Sequence, residues 1–286
     1  MKKYIVIVSV AIVSLCAFVG CGSRGNDRAA EGTEERSQSE QSLNISVYLD
    51  LSDRLVRGMT PSQTYRDTAI VNHLVDIFKA KTLEPNILKS KNRMKVFFYP
   101  APADPGIAVL AEGLDVDIAK KKGIEKRDAL DAMKGTFQKN LAHIYDQTIQ
   151  QKNWVGCDIW DFFQNKNVDN LCVSENTRNI IVILTDGYLY AANHKIKAGD
   201  AYSYILPQTL AVQNSSLLDK RKGGLKGKNV EVLMLEVNPY SLQHRDKMVE
   251  VIKNWFEEMG IEKCYVHETD ANLTSTFNII DNFMDQ

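Results

Sequence analysis

Strands alternating with helices predict an α/β domain: a doubly wound, mostly parallel central sheet flanked by helices. Three observations carry that expectation. Short apolar runs of strand length recur along the chain, and the stretches between them repeat apolar residues at spacings of three and four. The run Ile180 to Leu184 is apolar without alternation, the mark of a parallel strand covered on both faces.

The chain has 286 residues, and the first of them are not expected in the fold. Met1-Lys2-Lys3 is a positive start, and the apolar stretch that follows ends in small residues, a secretory signal pattern over 1–20. The segment "FVGC" resembles a bacterial lipobox, which implies that Cys21 is acylated and becomes the first mature residue. Cys16 follows bulky Leu15 and fits the box less well. Cleavage without lipid and an uncleaved membrane anchor are the alternatives. Residues 22–43 hold almost nothing to bury and are expected to remain a disordered tether, with an average reach of roughly 25 Å.

The remainder, 44–286, suits one large domain. Losing Lys2 and Lys3 takes the formal net charge from −1 to about −3, so no basic bias points to nucleic acid. Cys157, Cys172 and Cys264 remain in the domain, an odd number that implies no complete disulfide framework. A Cys157–Cys172 bridge is conceivable in an oxidising compartment.

Strands are expected at 44–50 ("NISVYLD"), 93–100 ("RMKVFFYP"), 179–186 ("NIIVILTD") and 229–237 ("NVEVLMLEV"). A weaker one is expected at 263–268 ("KCYVHE"), and 111–119 ("AEGLDVDIA") can add a short edge strand. Thr60-Pro61 reads as the cap and first turn of a helix whose stripe is Ile70, Leu74, Ile77 and Phe78. Leu130, Met133, Phe137, Leu141 and Ile144 form a second stripe. Met248, Val251, Ile252, Trp255 and Met259 form a third, stopped by Gly260. Leu273, Phe277, Ile280 and Met284 close the chain. The basic, glycine-rich run 219–228 fails the phosphate-loop spacing and precedes a strand, so a solvated loop is expected; "KKKGIEKRD" (120–128) reads as a solvated helix start.

Two central-type strands end in acids, Asp50 and Asp186, at the edge where open α/β sheets collect ligands. If those strands are neighbours, the carboxylates repel unless a proton or a cation intervenes. A hard divalent cation such as Mg²⁺ suits carboxylate, hydroxyl and water oxygens, and Ser52 offers a hydroxyl from the same turn.

A strand ending D-x-S at Asp50 and Ser52, with a later strand reading "ILTDG" at Asp186 and Gly187, resembles the von Willebrand factor type A fold of integrin inserted domains. The resemblance implies a metal-ion-dependent adhesion site holding Mg²⁺ or Mn²⁺ through Asp50, Ser52 and Asp186. It also implies a binding or scaffolding role toward a protein partner, or a glycan, rather than catalysis. "VGCDIWDFF" (155–163) looks like the family's threonine-bearing loop, but Cys157 stands where the threonine belongs, and Arg54 replaces the motif's second serine. A thiol suits Mg²⁺ poorly. Asp158 either supplies an oxygen instead or caps the helix beginning at Ile159. Arg54 can fold back on Asp50 or Asp186 and take the metal's place, so a working metal site and an arginine-neutralised one both stand. Asp53 and Tyr188 complete the expected rim, with Tyr190 beyond them, while Trp154 and Trp160 are expected to pack the loop. The chain is placed in the cell envelope, lipid-anchored and facing the periplasm or the surface.

The enzyme alternative is a Mg²⁺-dependent phosphatase of haloacid dehalogenase type with Asp50 as nucleophile, although Ser52 stands where those enzymes commonly carry a second aspartate. No G-x-S-x-G elbow supports a serine triad, and the histidines share no motif with one another or with zinc-binding cysteines. His73 and His143 fall within helical patterns.

Overall fold

The structure, a computed structural model, describes residues 41–84, 86–152, 154–164, 167–188, 190–191, 197–198, 201–202, 224–239 and 242–286. The expected signal, the acylation site at Cys21, the tether to residue 40, His194 and most of 191–228 lie outside them, as do the side chains of Trp160 and Tyr190.

The sheet is built on β1 (Ser42–Leu49), which starts two residues earlier than its apolar pattern and lies between β5 (Thr177–Leu184) and β2 (Arg93–Phe97). Both pairings are parallel, with Leu49 opposite Leu184. β9 (Val230–Val237) and β10 (Lys263–Glu268) extend the parallel run beyond β5. On the other side β3 (Asp115–Asp117) is an antiparallel edge, so the six-stranded order is β10-β9-β5-β1-β2-β3. Two two-residue ladders stand apart: β4 (Gly156–Cys157) with β6 (Tyr190–Ala191), and β7 (Lys197–Ala198) with β8 (Ala201–Tyr202).

Helices cover both faces. α1 (Gln63–Leu83) and α3 (Glu125–Gln151) press their stripes of Ile70, Leu74, Phe78, Met133, Phe137 and Leu141 onto Ile45, Val47 and Leu49 of β1. α2 (Pro105–Glu112), capped by Asp104, and α7 (Leu273–Met284) finish that layer. The opposite layer holds α4 (Ile159–Gln164), α5 (Asn167–Cys172) and α6 (Leu242–Glu258). It is rich in rings: Phe162 lies within 5.5 Å, centroid to centroid, of Tyr48, Phe97, Tyr99 and Phe163. Edge-on and tilted contacts of this kind fix side-chain orientation as well as burying area.

The start of α1 departs from expectation. The cap is Ser62, whose hydroxyl accepts from the Tyr65 amide, and Thr60-Pro61 is a cis peptide just ahead of it. Helix α2 was hidden because only one of its residues, Ile107, is buried, leaving no apolar stripe to read. Cys157, Cys172 and Cys264 are free thiols.

Candidate functional site

Adjacent parallel strands carry their terminal residues to one rim, and Asp50 and Asp186 meet there. The Asp50 amide donates to the Leu184 carbonyl at 3.1 Å, and the Thr185 hydroxyl donates to Asp50 Oδ2 at 2.8 Å. Asp50 Oδ1 accepts from the Ser52 amide at 2.8 Å, an Asx-turn that bends the chain out of β1. Asp186 holds its own turn in the same way, accepting from the Tyr188 amide at 3.0 Å. An acid at each strand end thus terminates the strand as well as charging the rim.

Arg54 answers that charge from within. It sits in a short 3-10 turn, Asp53–Val56, capped by the Ser52 hydroxyl, and it is buried. Its Nε lies 3.4 Å from Asp50 Oδ2 and donates to the Asp50 carbonyl at 3.2 Å. Its two terminal nitrogens fork onto Asp67 at 3.3 and 2.8 Å, and one also donates to the Leu184 carbonyl at 3.0 Å. Arg57 serves the second acid, donating to Asp186 Oδ2 at 2.8 Å and to the Asn238 carbonyl at 2.6 Å.

The network continues into the domain. Gln63 Nε2 bridges Asp67 at 2.9 Å and Glu236 at 3.2 Å, and Arg66 forks onto Glu236 at 2.7 and 2.8 Å. The Tyr145 hydroxyl donates to Asp67 at 3.3 Å. Four carboxylates (Asp50, Asp67, Asp186, Glu236) therefore share three guanidinium groups (Arg54, Arg57, Arg66). Burial pushes Asp50, Asp67 and Asp186 up against this pairing. Asp50 and Asp67 are raised by desolvation, with Arg54 the main opposing influence. Asp186 is pushed up to about 7 by desolvation and then by the Asp50 charge, with Arg57 pulling the other way. Glu236 is also strained, at φ +67°, a left-handed backbone that non-glycine residues seldom adopt.

The expected residues separate into groups. Asp50, Ser52, Arg54, Asp186 and Gly187 stand together at the rim. Ser52 spends its hydroxyl on the turn, accepting from the Arg54 amide at 3.4 Å. Asp158 takes the second of its two expected roles: it caps α4, accepting from the Asp161 amide at 2.9 Å. Cys157 is buried, and burial followed by the Asp50 charge pushes its thiol well above the ordinary range. Asp53 faces solvent and Tyr188 is half-buried. Asp67, Gln63, Arg66, Glu236 and Thr185 were missed. Asp67 and Arg66 interrupt helix α1 on its buried side, which was the available signal.

Those contacts do not fit a divalent cation. Each oxygen of Asp50 and of Asp186 already accepts from an amide, a hydroxyl or a guanidinium, and Arg54 places a fixed positive charge where the ion would lie. Among the described residues no cluster of three or more His, Cys, Asp or Glu side chains has metal-binding geometry.

No protein-family model matches the chain, and no curated protein matches it. Solved structures similar in outline include two from Bacteroides species. One is an aerotolerance-related membrane protein from Bacteroides fragilis NCTC 9343 with multiple mutations to serine; it is 13% identical with a TM-score of 0.41, over 85% of this chain and 99% of that one. The other is BatB, a conserved hypothetical protein from Bacteroides thetaiotaomicron, 12% identical with a TM-score of 0.41, over 86% of this chain and 100% of that one. At that level of similarity neither bears on function, and the fold class rests on the sheet itself: six strands, mostly parallel, flanked by helices.

Proposed function

We propose that this chain is a membrane-tethered, extracytoplasmic binding or scaffolding module of the von Willebrand factor type A kind, docking a protein at the carboxyl rim of its sheet. The observation that carries the reading is a rim whose acids are neutralised by Arg54 and Arg57 while the turn and helix that follow it expose apolar side chains. Val56, at the end of the 3-10 turn, is 54% exposed, and Tyr65, in the first turn of α1, is 60% exposed. An exposed tyrosine is suited to be an interface anchor, and Val56 adds apolar area to it. The contact in this reading needs no bridging metal, because Arg54 and Arg57 already balance Asp50 and Asp186. The tether and Cys21 supply attachment to the envelope; among the described residues no helix is long and apolar enough to cross a membrane.

Photo-crosslinkers placed at Val56 and at Tyr65 in cells test the rim, with Val109, 68% exposed on α2, as the control position. One discrete protein adduct from both rim positions, unchanged by chelator and absent at Val109, is expected. Equal labelling at all three positions, or none, sinks the reading; a carbohydrate adduct shifts the partner to a glycan. The phosphatase alternative is not favoured, because Asp50 is wholly buried and its oxygens are engaged by Ser52, Thr185 and Arg54. Turnover of an aryl phosphate that vanished in Asp50→Asn would restore it.

A further inference from the structure

The opposite end of the sheet has a character of its own. β1 begins there, and its Leu43 amide donates to Asn92 Oδ1 at 2.9 Å, so the chain enters the domain beside the loop between α1 and β2. β3 runs antiparallel and returns to the same end, where the Ile118 amide donates to the Asn92 carbonyl at 3.0 Å. Lys126 then ties the two loops together, donating to the carbonyls of Ile87 at 3.2 Å, Leu88 at 2.8 Å and Ser90 at 3.0 Å. Three separate stretches of sequence thereby form one continuous surface.

That surface is basic and greasy at once. The loop stretches 86–92 and 118–124 contain Lys89, Lys91, Lys120, Lys121 and Lys122 and no acid, and all five lysines are exposed. Between them stand Leu88, 64% exposed, and Ile124, 75% exposed. Acids at the margin include Glu84, Asp115, Asp117, Glu125, Asp128 and Asp285, with Asp115 paired to Arg93 and Asp285 to Lys81. Of these, Asp117 pairs with Lys120 at 3.3 Å, and Glu125 accepts the Lys122 amide at 3.1 Å.

We propose that this end of the domain is a membrane-docking face that lies against an anionic bilayer surface. The proposal rests on reading residues 1–21 as an anchor. Cations over exposed aliphatic side chains match a bilayer interface, where phosphate headgroups lie above acyl chains. The chain enters the fold at this end, so an anchored tether delivers this face, and not the rim, to the lipid. Tethering also makes docking intramolecular, so a weak face suffices. The consequence is orientation: the carboxyl rim, one strand length away (about 25 Å for eight residues), points from the membrane toward its partner.

The test uses the full chain reconstituted into phosphatidylcholine vesicles, with and without phosphatidylglycerol. Lysine acetylation is read residue by residue, with exposed Lys152 at the rim end of α3 as the internal control. Labelling of the five lysines is expected to fall about fivefold on the anionic vesicles, the effect of roughly one lysine–headgroup contact each, while Lys152 is unchanged. The protection is expected to disappear at high salt and in Lys120→Glu/Lys121→Glu/Lys122→Glu, whose substitutions are all at exposed positions. Equal labelling on the two vesicle types overturns the docking face, and is also what a basic face built for an acidic protein would give. Flotation with the neutral vesicles reads the anchor separately. If the chain does not float, it is tethered to the same two vesicle types through an N-terminal histidine tag and a nickel-chelating lipid, and equal labelling there refutes the face.

Discussion

Arg54 decides the character of the rim. One guanidinium lies against Asp50, forks onto Asp67 and caps the last carbonyl of β5, all away from solvent. Removing one partner of a buried ion pair leaves an uncompensated charge, so Arg54→Ala is expected to cost about 3–5 kcal/mol in denaturant unfolding. A loss under about 1 kcal/mol, the range of exposed pairs, would mean that the acids are neutralised some other way. The same residue predicts the response to metal. Wild-type melting is expected to be indifferent to Mg²⁺, Mn²⁺ and chelator. Arg54→Ser in an Arg57→Ala background restores the hydroxyl of the D-x-S-x-S pattern and uncovers both acids, and its melting temperature is expected to rise with added Mg²⁺, as linkage requires of any ion that binds only the folded state. A wild-type protein stabilised by Mg²⁺ would show that the ion and the arginine coexist. Arg54 and Cys157 were legible as departures from a metal-site pattern; what the departure does required Asp67, which no local motif announces.

Elements meet the rim through their ends, and those ends were the least legible part of the sequence. The five parallel strands were readable because an apolar run of five to eight residues has few other uses, and even the weakly patterned β10 fell at its expected residues. Strand starts shifted by two residues where the polar ladder residues Ser42 and Thr177 continue the pairing without an apolar signal, and β2 ends three residues short of its apolar run, at Phe97. Helix α1 shows the same limit: its stripe was plain, but Thr60-Pro61 mimicked a cap that Ser62 supplies. Gly187 illustrates what an element end demands. It follows Asp186 at φ +94°, and a Cβ there would meet the Met248 Sδ of α6 and lie 3.1 Å from Val237 Cγ1 of β9. Gly187→Ala combines left-handed strain with overpacking and is expected to destabilise by about 2–4 kcal/mol. Measured unfolding within about 0.5 kcal/mol of wild type, the scatter of ordinary surface changes, would mean that α6 gives way freely and does not hold the rim.

At the scale of the whole domain, one acid more than the available arginines is buried in a single connected network, and that excess sets how stability depends on pH. Asp186 stands at about 7 in the folded protein against 3.8 as its ordinary value. Between those two values the folded state binds more protons than the unfolded one, so this group makes stability fall as pH rises through the window and leaves it flat on either side. Asp50 and Asp67, also raised by burial, act in the same direction. His267 works against them: burial holds its imidazole below the ordinary 6.5, so folding loses stability there as pH falls. Glu231 and Asp104, both lowered, act at the acid end, below the range from 5 to 8. Urea unfolding between pH 5 and 8 is therefore best read as a difference between wild type and Asp186→Asn, in which His267 cancels. The difference is expected to shift by about 2–3 kcal/mol, because only the part of the displacement between pH 5 and about 7 falls in this range, at about 1.4 kcal/mol per unit, with wild type losing ground to the variant as pH rises. A flat difference would place the surplus proton elsewhere in the network, and the same comparison made with Asp50→Asn, which removes the other raised carboxylate of the rim, would then test Asp50 as its carrier.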